Sequence, residues 1–89
     1  MKITEAFKIL RRHGYVLDQY SFDESWLGKK PGYFAYLKST DSQPSIETLM
    51  RLHFKLLEEN LRHARLGLDA AELHKLATLT FKEVRHRCN

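Results

Sequence analysis

The chain is poor in the features that cross-link, export or interrupt a fold. One cysteine, Cys88, occurs in 89 residues, so no disulfide can form within the chain and nothing points to an oxidising compartment. No stretch approaches the roughly 18 consecutive apolar residues of a membrane span. The opening Met1-Lys2-Ile3-Thr4-Glu5 is charged at once and lacks the apolar run of a secretory signal. The expected location is therefore cytoplasmic, with no membrane partner. The four glycines show no phosphate-cradling spacing. Sustained period-two alternation is missing, which excludes a strand-based fold.

Catalytic constellations are missing too. No nucleophile stands with an ordered base, and Glu58-Glu59 reads as a solvated pair on a helix exterior. The chain is not expected to be an enzyme. The five histidines do not assemble a metal set. His53 and His63 lie ten apart on one predicted helix, His74 begins another element, and His86-x-Cys88 offers two ligands without a third. No metal and no cofactor is expected. His53 falls on an apolar stripe beside Met50 and Leu57, the place of a hydrogen-bonded core or interface residue.

What is present is enough for one globular domain, 1–89. The hydrophobic share is 43% and the charged share 29%, and five Phe, four Tyr and one Trp supply bulky anchors. The net charge of +4 suits nucleic acid without demanding it. Residues 1–44 carry seven Lys/Arg against five Asp/Glu, and residues 45–89 eight against six. The positive excess is thus spread evenly, with no basic block.

Apolar periodicity divides the chain into five helices. From Thr4 to His13, Ile3, Ala6, Phe7 and Leu10 form one stripe, with Gly14 as a left-handed stop. Lys8, Arg11 and Arg12 lie mostly off that stripe, near the end where the helix dipole favours cations. Tyr15-Val16-Leu17 reads as a connector tucked onto the core. Ser21-x-x-Glu24 has a capping-box pattern for a short helix to Leu27, with Phe22, Trp26 and Leu27 inward and Gly28 as its end. Pro31 suits the first turn of a third helix, with Phe34 and Leu37 inward.

The polar segment 39–44 is a loop. A long helix then starts at an N-cap Ser45, with Ile46, Leu49, Met50, Leu57, Leu61 and Ala64 as its main stripe and Leu52, Phe54 and Leu56 widening it. Gly67 ends it. Asp69 and Glu72 form a capping box and Leu68 and Leu73 a hydrophobic staple for a last helix to about Arg85. That helix should turn Leu73, Leu76, Ala77, Thr80, Phe81 and Val84 inward. The short turn makes the final pair antiparallel. Leu56, Leu61, Leu66, Leu79 and Phe81 exceed what one small core covers, so a homodimer through residues 45–87 is expected.

The region around Gly28 resembles the lambda-repressor/Cro-type (XRE-like) helix-turn-helix over about residues 4–57. In that family an apolar residue stands six places after the turn glycine and another three places beyond. Phe34 and Leu37 occupy those places, with the small Ala35 between them. The run Pro44-Ser45-Ile46-Glu47-Thr48-Leu49-Met50-Arg51-Leu52 is similar to the loop and Leu-rich helix that follow. Asp23-Glu24 departs from the usual apolar-Ala pair, and Lys30 stands where a Ser or Thr cap is common.

The five periodic segments give an all-α, five-helix orthogonal bundle with a long C-terminal antiparallel helical hairpin, and the resemblance implies a helix-turn-helix core within it. It also implies a small DNA-binding regulator of transcription. The positions that usually reach base edges fall on Pro31, Gly32 and Tyr36. Two of these bring no side-chain donor or acceptor, so binding to duplex DNA would rest on phosphate contacts. The candidate face is Lys29, Lys30, Tyr33, Tyr36 and Lys38. The alternative is a protein–protein adaptor that keeps the fold without binding DNA, since exposed aromatics beside cations also make interface hot spots. In the plainest reading, Tyr33 and Tyr36 are half-buried and the lysines solvate a turn.

Overall fold

A computed structural model of the chain describes residues 3–66 and 71–88, and the described residues form an all-α, five-helix bundle. The first helix, α1 (Ile3–Arg12), buries Ile3, Ala6, Phe7 and Leu10, the stripe its periodicity predicts. Gly14 takes φ 80° in the turn that follows, and the Tyr15 N–H returns to the Leu10 carbonyl at 2.9 Å. Of the connector, Val16 is buried and Tyr15 half-buried, but Leu17 is 80% exposed. The expectation that all three pack on the core holds for two of them.

The second helix, α2, opens as Gln19–Ser21 and continues as a π-helical segment, Phe22–Leu27. Its N-cap is Asp18, whose carboxylate accepts the Ser21 N–H at 2.8 Å. Ser21 is therefore inside the helix rather than its cap. Hydrogen bonds from the Ser21 backbone N–H, and then from its hydroxyl, hold the Asp18 carboxyl below its ordinary value of 3.8. Phe22, Trp26 and Leu27 are all buried, as their spacing requires. Gly28 ends the helix at φ 66°, a conformation that costs other residues a Cβ clash.

The third helix, α3 (Tyr33–Thr40), begins two residues after Pro31, with Pro31-Gly32 forming a turn ahead of it. Phe34 and Leu37 are its buried anchors. Phe7, Phe22 and Phe34 then meet as a ring triad, with centroids 5.2, 5.0 and 5.3 Å apart and tilted to edge-on geometry. These are favoured aromatic packings, and they lock α1, α2 and α3 into one core.

The fourth helix, α4 (Ile46–Arg65), starts where Ser45 Oγ accepts the Thr48 N–H at 3.2 Å, confirming the expected cap. The fifth, α5 (Ala71–Cys88), runs three residues beyond the expected end and packs along α4 as a hairpin. The Gly67 stop, the Asp69–Glu72 box and the Leu68–Leu73 staple fall partly or wholly on 67–70, outside the described residues. Across the hairpin, His53 Nδ1 lies 2.8 Å from the Ala77 carbonyl and 3.0 Å from Thr80 Oγ1. A carbonyl can only accept, so Nδ1 carries the hydrogen and donates. His53 is the hydrogen-bonded contact residue that its position on the helix suggests.

Burial on α4 departs from the expected stripe. Thr48, Leu49, Leu52 and Leu56 are the buried residues, while Ile46, Leu57 and Leu61 are exposed along with Phe54. On α5, Leu73, Leu76, Ala77 and Thr80 face inward but Phe81 is exposed and Val84 half-buried. The molecule measures 40 × 32 × 18 Å, about two helices thick. A helix with two apolar stripes in such a thin bundle buries one and leaves the other outside.

Candidate nucleic-acid interface

The polar chemistry of the first three helices centres on Asp23, which is fully buried among Phe22, Trp26 and Leu27 on α2. Its Oδ2 accepts the Gly32 N–H and its Oδ1 the Phe34 N–H, each at 3.0 Å. Its own carbonyl accepts the Lys29 N–H at 2.8 Å and the Gly28 N–H. One residue thus ends α2, spans the turn and caps α3. The first amides of a helix attract anions because they lack partners within the helix. Here an internal carboxylate takes that role. The start of α3 is thus capped from Asp23 on α2, and Lys30, ahead of the Gly32 N-cap position, takes no part in the cap.

The five residues expected to form a face are divided by this arrangement. Lys29 and Tyr33 are half-buried, with the Lys29 ammonium 5.5 Å from the Tyr33 ring centroid. Tyr33 packs on the core, so its ring is a support for the lysine. Lys30 is exposed at the same end of α3. Tyr36 is 60% exposed and free to meet a partner. Lys38 lies near the other end of the helix, its ammonium 4.8 Å from the Phe34 ring centroid. Roughly 7.5 Å of helix rise separates Lys38 from the end of α3 beside Lys29 and Lys30.

Lys38 instead joins Lys8, Arg11 and Arg12. These four cations, with Thr4, Phe7 and Phe34, line a groove of about 500 Å³ between α1 and α3. Its floor is two edges of the phenylalanine triad, and its rim is cationic from both sides. Among the described residues, Lys8, Arg12 and Lys38 take part in no ion pair, and Arg11 feels a longer-range attraction to Asp18. The α1 cations carried a signal in the sequence: positions 8, 11 and 12 stand at i, i+3 and i+4, one face of a helix. What could not be read was that Lys38 would face them.

Residues 3–89 match the family of unknown function DUF6626. The chain belongs to that family. The match spans all five helices of this DUF6626 chain, so the groove and the hairpin both lie within the family's region. No curated protein and no solved structure matches the chain. No helix of the described residues is long and apolar enough to cross a membrane. Among the same residues no three His, Cys, Asp or Glu side chains gather closely enough to hold a metal ion.

Proposed function

We propose that this chain is a small DNA-binding regulator of the helix-turn-helix type, gripping duplex DNA through phosphates at the α1–α3 groove. The observation that carries this reading is the convergence of Lys8, Arg11, Arg12 and Lys38 on one concave surface without a carboxylate lining it. Such a surface attracts polyanions, and each phosphate it neutralises releases condensed counterions. Tyr36 and Lys30 do not line this groove; Tyr36 is two residues from Lys38 and so on another face of α3. On this reading α2, Gly28 and α3 would serve as the helix-turn-helix, and the burial of Phe34 and Leu37 supports it.

The buried Asp23 refines the mode of contact. Because its carboxylate already holds the Gly32 and Phe34 amides, the N-terminus of α3 is not offered to a phosphate. Pro31 and Gly32 add no base-reading side chain. The proposed binding is therefore weakly sequence-selective and steeply salt-dependent.

Fluorescence anisotropy with a mixed-sequence duplex, run at two salt concentrations, tests this. The expected result is binding at low salt that a Lys8→Ala/Arg12→Ala/Lys38→Ala variant weakens, with the slope of log affinity on log salt reduced by about 3. Absence of binding at low salt, or an unchanged slope in the variant, refutes the reading. It would favour the adaptor function instead, for which the exposed Leu17, Tyr20 and Tyr36 provide apolar contact surface.

A further inference from the structure

The outer face of α4 is an apolar surface that the proposed groove does not use. Ile46 is 38% exposed, Phe54 60%, Leu57 40% and Leu61 55%, and all four lie within one quarter-turn arc of the helix. Phe81 stands beside them from α5, tied through His53, whose ring centroid is 5.7 Å from that of Phe81 and 5.8 Å from that of Phe54. Together these side chains leave roughly 500 Å² of apolar surface open, at the upper end of what a monomer normally shows.

The pattern along this face is palindromic. About a point beside Phe54, Ile46 mirrors Leu61 and Met50 mirrors Leu57. The charges flanking the stripe repeat the symmetry with opposite signs, since Glu47 mirrors Arg62 and Arg51 mirrors Glu58. Both sets share a centre to within one residue, about 1.5 Å of helix rise. A two-fold axis normal to an antiparallel helix pair brings the same flank of each copy together. Glu47 then meets Arg62 of the other copy, and Arg51 meets Glu58. Among the described residues Glu47, Arg51 and Glu58 have no ion-pair partner within the chain, and Arg62 reaches Glu59 at 3.6 Å while 69% exposed.

We infer that a second copy of this chain covers this face, through an isologous antiparallel α4–α4 contact centred on Phe54. A groove of about 510 Å³ lined by Glu58, Leu61, Arg62, Arg65 and Leu66 lies where Ile46 and Glu47 of the other copy arrive. The hydrophobic stripe plus its charged flank approaches the size of a standard interface, about 800 Å² per partner. The α4–α5 hairpins then form a four-helix arrangement around the axis. The contact does not depend on nucleic-acid binding.

Light scattering after size exclusion, on the full chain at hundred-micromolar concentration, should give a dimer. Phe54→Glu should give a monomer with an unchanged circular-dichroism spectrum, because Phe54 is outside the core. The register is tested by charge exchange. Arg51→Glu and Glu58→Arg should each weaken dimerisation at least about fivefold, and the double variant should restore it. Cross-linking in a Cys88→Ser background separates antiparallel from parallel pairing. Phe54→Cys should form a disulfide-linked dimer, and Leu61→Cys should not. A monomeric parent, a Phe54→Glu dimer, a failed rescue or a self-linked Leu61→Cys chain overturns the proposal.

Discussion

Replacing Asp23 with alanine removes both acceptors that hold the start of α3. The Phe34 N–H is buried and loses its bond at 3.0 Å, while the part-buried Gly32 N–H can recover some hydration. Hydrogen bonds to a carboxylate contribute about 1.5–3 kcal/mol each, and a buried donor left without a partner bears its full desolvation cost. Asp23→Ala should therefore destabilise the fold by about 4 kcal/mol, a large part of the roughly 5–13 kcal/mol expected for a domain of this length. Asp23→Asn keeps one acceptor but turns an NH₂ toward the other amide, so about half the loss is expected. Urea titration followed by helical circular dichroism measures this as a shift in midpoint without a change in slope. A loss below about 1 kcal/mol for Asp23→Ala would mean that water caps α3 as well as the carboxylate does, and that Asp23 does not hold the start of α3.

Gly28→Ala should cost about 1–2 kcal/mol, from φ 66° rather than from crowding. An added Cβ would stand 2.6 Å from Arg51 Nη1, the movable tip of a side chain; thermal melts measure the effect. Thr80→Val keeps the shape of a fully buried residue but deletes the hydroxyl that donates to the Ala77 carbonyl at 2.8 Å and meets His53. It should cost about 1–2 kcal/mol, and combining it with His53→Ala in a double-mutant cycle should show non-additivity. The Asp18 carboxyl is held below its ordinary value by Ser21. Its contribution is therefore complete above the unfolded-state value and is lost as pH falls through the lower folded-state value. In acid titrations of stability, Asp18→Asn, which caps without titrating, should show a shallower decline over that range; parallel curves would refute the assignment.

Local signals along the chain determined the helices and several of their ends. Ser45 caps α4 because a hydroxyl at that place satisfies a free N–H within the same turn. Gly14 and Gly28 close helices because a left-handed residue is a local backbone matter. Phe34 and Leu37 are anchors because three-residue spacing puts both on one side. Each of these depends on atoms a few residues apart, so the order of residues is enough to read them.

Tertiary structure decided the rest. Two apolar stripes run along α4, and only the docking of α2 and α5 selects Leu49, Leu52 and Leu56 for burial while leaving Ile46, Phe54, Leu57 and Leu61 outside. Asp23 has the composition of a surface residue. It becomes a buried cap because the turn at Gly28 folds the amides of Gly32 and Phe34 back onto it. Lys38 joins Lys8, Arg11 and Arg12 across a groove because the phenylalanine triad sets α1 beside α3. Helix periodicity is a short-range property of the backbone, whereas the choice of which face meets which neighbour is made by contacts between residues far apart in the chain.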